Sequence, residues 1–234
     1  MKDWVQRMVG PALIDEVPRD HRQPDSEFRR RRVIVAITLV IGATLLGLSL
    51  ATDPGDSLFY PLTAAVAAVW IAGGLASGPL HLGYAPWRGA LRRPLVTPIL
   101  LGLGAAAVFI VGALIVRQLE PLREFIAGVL AHAQQGNLAL VTLLTLLNGA
   151  AEEVFFRGAL FAAIGRVHPV VLSTVIYAIV TIATGNPMMV FAAVLMGVLF
   201  GLQRRASGGI LAPIITHLAW STVMILALPP IIGT

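Results

Sequence analysis

Glu152 and Glu153 lie side by side inside the apolar run Leu138–Phe156, and Arg157 follows four positions after Glu153. A carboxylate at the centre of a bilayer costs at least ~2.5 to 3.5 kcal/mol on insertion scales, and function is the default reason to find one there. On a helix Glu153 and Arg157 are i and i+4 and can pair along one face. Glu152 then points about 100° away. The spacing predicts a division of labour in which arginine holds one carboxylate and the other serves as general base or metal ligand. The competing expectation is that both glutamates only join helices through hydrogen bonds. His217, in the run GGILAPIITHLAWS, is the second candidate. His21, His81, His132 and His168 fall in a terminal arm, in loops or at the surface, whereas His217 falls inside an apolar stretch. A neutral imidazole there is a natural metal ligand or proton carrier, with helix–helix hydrogen bonding as its plainer role.

These residues need a membrane-embedded frame to hold them. The chain has 234 residues, 57% hydrophobic and 12% charged, against roughly 25% charged for a soluble domain. That composition specifies a polytopic membrane protein, all-α, a transmembrane helical bundle of about seven to eight spans. Cysteine is absent, which excludes disulfides, thiolate metal sites and a cysteine nucleophile. The pI near 10.7 does not indicate nucleic acid, because the bases flank apolar runs, where topology accounts for them.

Spans of about 20 apolar residues are expected at roughly 33–50, 58–79, 95–116, 137–156, 169–184, 188–203 and 208–229, the fifth and sixth being short. Segments on alternate sides of these spans carry 15 Lys/Arg against 2. The positive-inside rule therefore places the N-terminus in the cytoplasm and the C-terminus outside. Residues 1–32 hold eight bases, six acids, Pro11, Pro18 and Pro24, and read as a partly disordered cytoplasmic arm. Within it Trp4, Val5, Met8 and Val9 could form one short interfacial face. Residues 119–133 have the pattern of an amphipathic helix on the outer surface. One lysine beside sixteen arginines, with abundant Ala and Gly, is the usage of a high-GC bacterial genome.

The stretch Glu-Glu-Val-Phe-Phe-Arg-Gly at 152–158 resembles the EExxxR motif of the CPBP family of intramembrane metalloproteases, which includes the CAAX-prenyl-protease and bacteriocin-processing (Abi) relatives. LAPIITHLAWS resembles the family's last motif, a histidine followed four positions later by asparagine. Ser173–Thr181, STVIYAIVT, resembles its middle motif, which leads to FxxxH. The three blocks occur in order over residues 137–229, here the expected membrane core; residues 33–136 are expected to be flanking spans. Three positions depart from the pattern: Tyr177 stands at the phenylalanine, Thr181 at the histidine and Ser221 at the asparagine.

The resemblance implies a membrane metalloendopeptidase of CAAX prenyl protease 2 type, cleaving membrane-associated peptides or proteins in the plasma membrane. It implies Glu152, Glu153 and Arg157 as catalytic residues, with Glu152 activating water. His217 and Glu152 would be metal ligands, and Tyr177, Thr181 and Ser221 would line the site. The implied cofactor is a divalent metal, zinc if any. Glutamate plus one histidine supplies only two of the three protein ligands that catalytic zinc usually takes. A metal-free site, and a catalytically inactive homologue serving as a membrane scaffold or immunity protein, therefore stand beside the enzyme. A proton-relay transporter is a further alternative, against which the chain shows no inverted repeat.

Overall fold

The computed structural model describes residues 9–19, 21–87 and 89–233. The expected face formed by Trp4, Val5 and Met8 lies outside them. Nine α-helices follow in order: α1 (Asp25–Leu50), α2 (Phe59–Ser77), α3 (Val96–Val116), α4 (Glu120–Gln134), α5 (Leu138–Glu152), α6 (Phe161–Ile164), α7 (Pro169–Ile182), α8 (Pro187–Ser207) and α9 (Leu211–Ile232). A π-helical segment, Glu153–Leu160, joins α5 to α6 without a break, and a hairpin, β1 (Ala85–Trp87) with β2 (Ala90–Arg92), lies between α2 and α3.

Among the described residues six helical stretches are long and apolar enough to cross a membrane: α1, α2, α3, the continuous Leu138–Ile164, α8 and α9. The remaining expected span is α7, an apolar helix of 14 residues. At 1.5 Å per residue it is about 21 Å long, well under the ~30 Å hydrocarbon core. It nevertheless runs from one end of the bundle to the other. His168 and Pro169 border a cavity lined by arginines, whereas Ala183, just past its other end, packs against Gly47 near the far end of α1. The first span begins earlier than expected: Asp25–Arg32 is already helical. Part of the arm is also ordered, because Gly10–Ile14 forms a π turn packed on α8. Val17 N–H, just beyond it, donates to Ala206 O at 3.0 Å.

Side-chain capping and close packing explain the helix positions. Asn137 accepts from Leu140 N–H at the start of α5, and Asn186 accepts from Met188 and Met189 N–H at the start of α8. These satisfy amide groups that a helix start leaves unpaired. Lipid tails are as apolar as leucine, so helix association depends on close packing rather than water exclusion. Here α1 and α2 approach through glycine. A Cβ at Gly73 would come within 2.8 Å of Thr38 Cβ, and one at Gly42 would overlap the Trp70 ring. Trp70 is fully buried and meets Phe155 and Phe156 with ring centroids 4.7 and 5.1 Å away. This aromatic cluster clamps α2 onto the π-helical segment. Helix α3 lies along α9, and α7 lies along α8. The expected amphipathic helix is α4, and its His132 is buried, with Nε2 3.1 Å from Thr52 O.

Candidate active site

The glutamate doublet falls where α5 passes into the π-helical segment. Hydrogen bonding from i to i+5 is rare and often marks functional sites. Seven of the eight π-helical residues are buried, Val154 being the exception. The wider turn does not separate the expected ion pair. Arg157 Nη1 donates to Glu153 Oε1 at 3.0 Å, and both side chains are fully buried. Arg157 also donates from Nη2 to Gly197 O at 3.4 Å, and its guanidinium lies 4.7 Å from the Tyr177 ring centroid and 5.0 Å from that of Phe200. Arg157 thus ties the π-helical segment to α7 and α8 together.

His217 reaches the same carboxylate from α9. Its Nδ1 lies 3.0 Å from Glu153 Oε1. An ionised carboxylate only accepts hydrogen bonds, so Nδ1 carries the proton. Phe200 stacks on the imidazole at 4.8 Å. The other edge of the ring faces α5: a Cβ at Gly149 would stand 3.2 Å from His217 Cδ2 and 3.3 Å from Nε2. Gly149 is therefore the residue that lets the ring lie flat on α5, one turn before the glutamates. Glu153 Oε2 and Arg157 Nε are buried without a protein partner, which leaves polar capacity inside the site.

Glu152 is placed differently. It is half-buried and accepts from Tyr177 Oη at 2.5 Å. Tyr177 is therefore more than a conservative stand-in for phenylalanine, since its hydroxyl fixes one oxygen of the carboxylate expected to act as base. Thr181 is buried one turn further along α7, and its hydroxyl donates to the Tyr177 carbonyl at 2.8 Å. Ser221 is buried one turn beyond His217 on α9. The structure therefore brings Glu152, Glu153, Arg157, Tyr177 and His217 into one connected network. Thr181 and Ser221 occupy adjacent turns. Phe200 and Gly149 belong to the site as well; neither has a chemical group that a search for reactive residues would select.

The donor set does not fit the implied zinc. Among the described residues no three His, Cys, Asp or Glu side chains are grouped to hold a metal ion. Glu153 Oε1 already accepts from Arg157 and His217, and the guanidinium puts a positive charge where a cation would sit. Catalytic zinc needs three protein ligands, and the Thr181 hydroxyl is engaged with its own helix.

A buried carboxylate–imidazole–guanidinium network inside a bundle of apolar crossing helices defines an integral membrane protein with a polar core. Residues 134–223 match the family model described as type II CAAX prenyl endopeptidase Rce1-like. The matched segment contains all seven residues expected at the site, and over it the chain is similar to CAAX-protease-type membrane proteins. Comparison with curated proteins and with solved structures returned no match.

Proposed function

We propose that the protein is a membrane endopeptidase that hydrolyses peptide bonds of membrane-associated peptides or proteins, with Glu152 as general base and His217 as general acid. The supporting observation is the 3.0 Å contact of His217 Nδ1 with Glu153 beside a half-buried Glu152 that accepts from Tyr177. A carboxylate behind an imidazole fixes its tautomer and stabilises the imidazolium. Glu153 is thus the positioning residue for His217, and Arg157 for Glu153. Glu152 would take a proton from water as its oxygen attacks the scissile carbonyl carbon. His217, as the imidazolium that Glu153 stabilises, would deliver its Nε2 proton to the amine as the C–N bond breaks, and the proton taken up by Glu152 would then restore the imidazolium. Such proton transfers typically contribute 10²- to 10⁴-fold each. Charge asymmetry supports a cytoplasmic N-terminus, and the membrane proposed is the plasma membrane.

The test is turnover of lipid-anchored reporter peptides by protein reconstituted in liposomes. Glu152→Gln should abolish cleavage with the melting temperature unchanged, and Glu153→Gln should lower kcat more than it raises KM. Full activity in Glu152→Gln would sink the assignment. One observation favours a second reading, an inactive peptide-binding homologue: the Thr181 hydroxyl, at the family's histidine position, is bonded to its own backbone. In that case wild type and Glu152→Gln would bind the peptides equally and neither would cleave them.

A further inference from the structure

The arginine-rich end of the bundle holds a cavity of about 1240 Å³, separate from the carboxylate site. Its walls come from the arm (residues 16–19 and 21–25), the start of α1, the segment Pro79–His81, the connection Gly165–His168 and the end of α8. Seven arginines and three histidines line it, against two carboxylates, Glu16 and Asp25. His21 and His81 stack face to face across it at 3.8 Å.

The positive-inside rule accounts for arginines at this end, but not for where they point. A topology charge belongs in water. Arg31 is 1% exposed and Arg204 5%. A buried charge is expensive unless paired; Glu27 is the carboxylate whose charge acts on Arg31, while the hydrogen bonds these two make among the described residues go to neutral groups. Arg31 donates to Gln23 Oε1, Ser77 Oγ and Pro79 O at 3.1 to 3.3 Å. Arg204 Nε donates to Arg157 O at 2.7 Å, and its guanidinium lies 5.2 Å from the Phe161 ring centroid. Arg32 donates to Ala163 O at 3.0 Å and sits over Phe28. Glu16 serves both Arg19 and Arg205. The described lining thus carries more guanidiniums than carboxylates, and two of them, Arg31 and Arg204, are buried.

Apolar groups alternate with these cations. Phe28, Leu80, Phe161 and Ile164 face the same space, and Val167 at its border is 68% exposed. A soluble anion makes no use of such a wall; a phosphate carried on a glycerol and acyl chains does. From the cluster of guanidiniums, two of them buried, and the apolar wall beside them, we infer that this cavity binds the phosphate head group of an anionic phospholipid. Arginine is suited to the task because its planar fork bonds phosphate oxygens in pairs. The arm closes one side of the cavity. Val17 N–H and Arg19 both donate to the last turn of α8, at Ala206 O and Arg205 O, so bound lipid would pin the arm to the bundle. This inference does not depend on the carboxylate site being active.

The experiment uses the full chain in a neutral detergent, titrated in turn with phosphatidylglycerol, phosphatidylcholine and inorganic phosphate. Melting temperature and lipid stoichiometry by native mass spectrometry are the readouts. Phosphatidylglycerol should stabilise the wild type saturably, with about one tightly held lipid, whereas phosphatidylcholine and millimolar phosphate should not. Each arginine near anionic lipid is worth about fivefold in affinity. Arg32→Gln with Arg166→Gln should therefore weaken binding by more than about tenfold, and Arg117→Gln with Arg123→Gln, at the opposite end, should not change it. Arg166 is exposed, so Arg166→Gln alone, expected to weaken binding about fivefold, decides the matter if the double variant folds poorly. Equal responses to the two lipids, or equal losses in the two arginine pairs, would overturn the site. Saturable stabilisation by inorganic phosphate at the same affinity would overturn the lipid as its occupant.

Discussion

Arg157→Ala probes the network at its centre. The substitution removes the bond to Glu153, the bond to Gly197 O and two cation–aromatic contacts, and it leaves a fully buried carboxylate with His217 as its one charged or polar partner. Breaking a buried pair from one side typically costs ~3 to 5 kcal/mol, because the remaining charge stays buried. At 1.4 kcal/mol per decade, that is about two to three and a half decades in the ratio of folded to unfolded protein. Arg205→Ala is the reference. Arg205 reaches Glu16 at 3.9 Å, with the two side chains 36% and 53% exposed, and exposed pairs are worth ~0 to 1 kcal/mol. The competing expectation is that Arg157 contributes only what an average hydrogen bond does inside a bilayer, ~0.6 kcal/mol, which would make the two variants indistinguishable. Reversible unfolding in mixed micelles, followed by circular dichroism, separates the cases. Glu153→Gln added to Arg157→Ala supplies the decisive arm: the amide keeps an acceptor for His217 but strands no charge, so the double variant should recover most of the loss. A double variant no better than Arg157→Ala, or an Arg157→Ala within about 1 kcal/mol of Arg205→Ala, would refute the reasoning.

Gly149→Ala gains about 1 kcal/mol of helix propensity and loses a similar amount to overpacking. Melting should therefore move little, while the displaced His217 ring lowers peptide turnover about tenfold; unchanged turnover would remove Gly149 from the site. Thr181→His with Ser221→Asn should bind zinc that the wild type does not retain on dialysis, measured by elemental analysis. Stoichiometric zinc in the wild type, lost on His217→Ala, would show that another side chain supplies the missing ligand. His81 should titrate below its ordinary value of 6.5, because burial strips it of water and Arg204 and Arg31 repel its proton. The unfolded chain then takes up this proton first as pH falls, so the His81 contribution to stability is complete above about pH 6.5 and is lost below it until the folded group protonates. Histidine NMR with His81→Gln for assignment checks this, and a titration at or above 6.5 would contradict it.

What could be read from the sequence divides by distance along the chain. The Glu153–Arg157 pair was legible because four residues on one helix place both partners, and the wider π-helical turn did not undo it. The order of the apolar segments was legible from apolar runs alone, whereas their number was not: of the seven expected runs, six form helices long enough to cross and α7 is short. The contact of His217 with Glu153 rather than Glu152 was not, because it spans 64 residues and depends on how α9 rolls against α5. Tyr177 was set down as a phenylalanine equivalent because ring size matches, yet the hydroxyl is what reaches Glu152. Arg31 and Arg204 were counted as topology charges. A charge count carries no information on burial, and burial is what distinguishes them from Arg29 and Arg30, which stay exposed.

The ion pair lies within one continuous helical stretch, and that fixes an order of events while the chain is being made. Glu153 and Arg157 enter the bilayer together and can neutralise each other before any neighbouring helix is present. His217 is 64 residues further on, and at ~5 to 20 residues per second it leaves the ribosome about 3 to 13 s later. During that interval the carboxylate relies on a partner from its own helix. A chain with the arginine on α9 and the histidine at position 157 would have the same groups in the finished site, but its glutamate would have to cross into lipid as a bare charge. The order of residues along the chain thus protects the nascent span, which the finished geometry alone does not require.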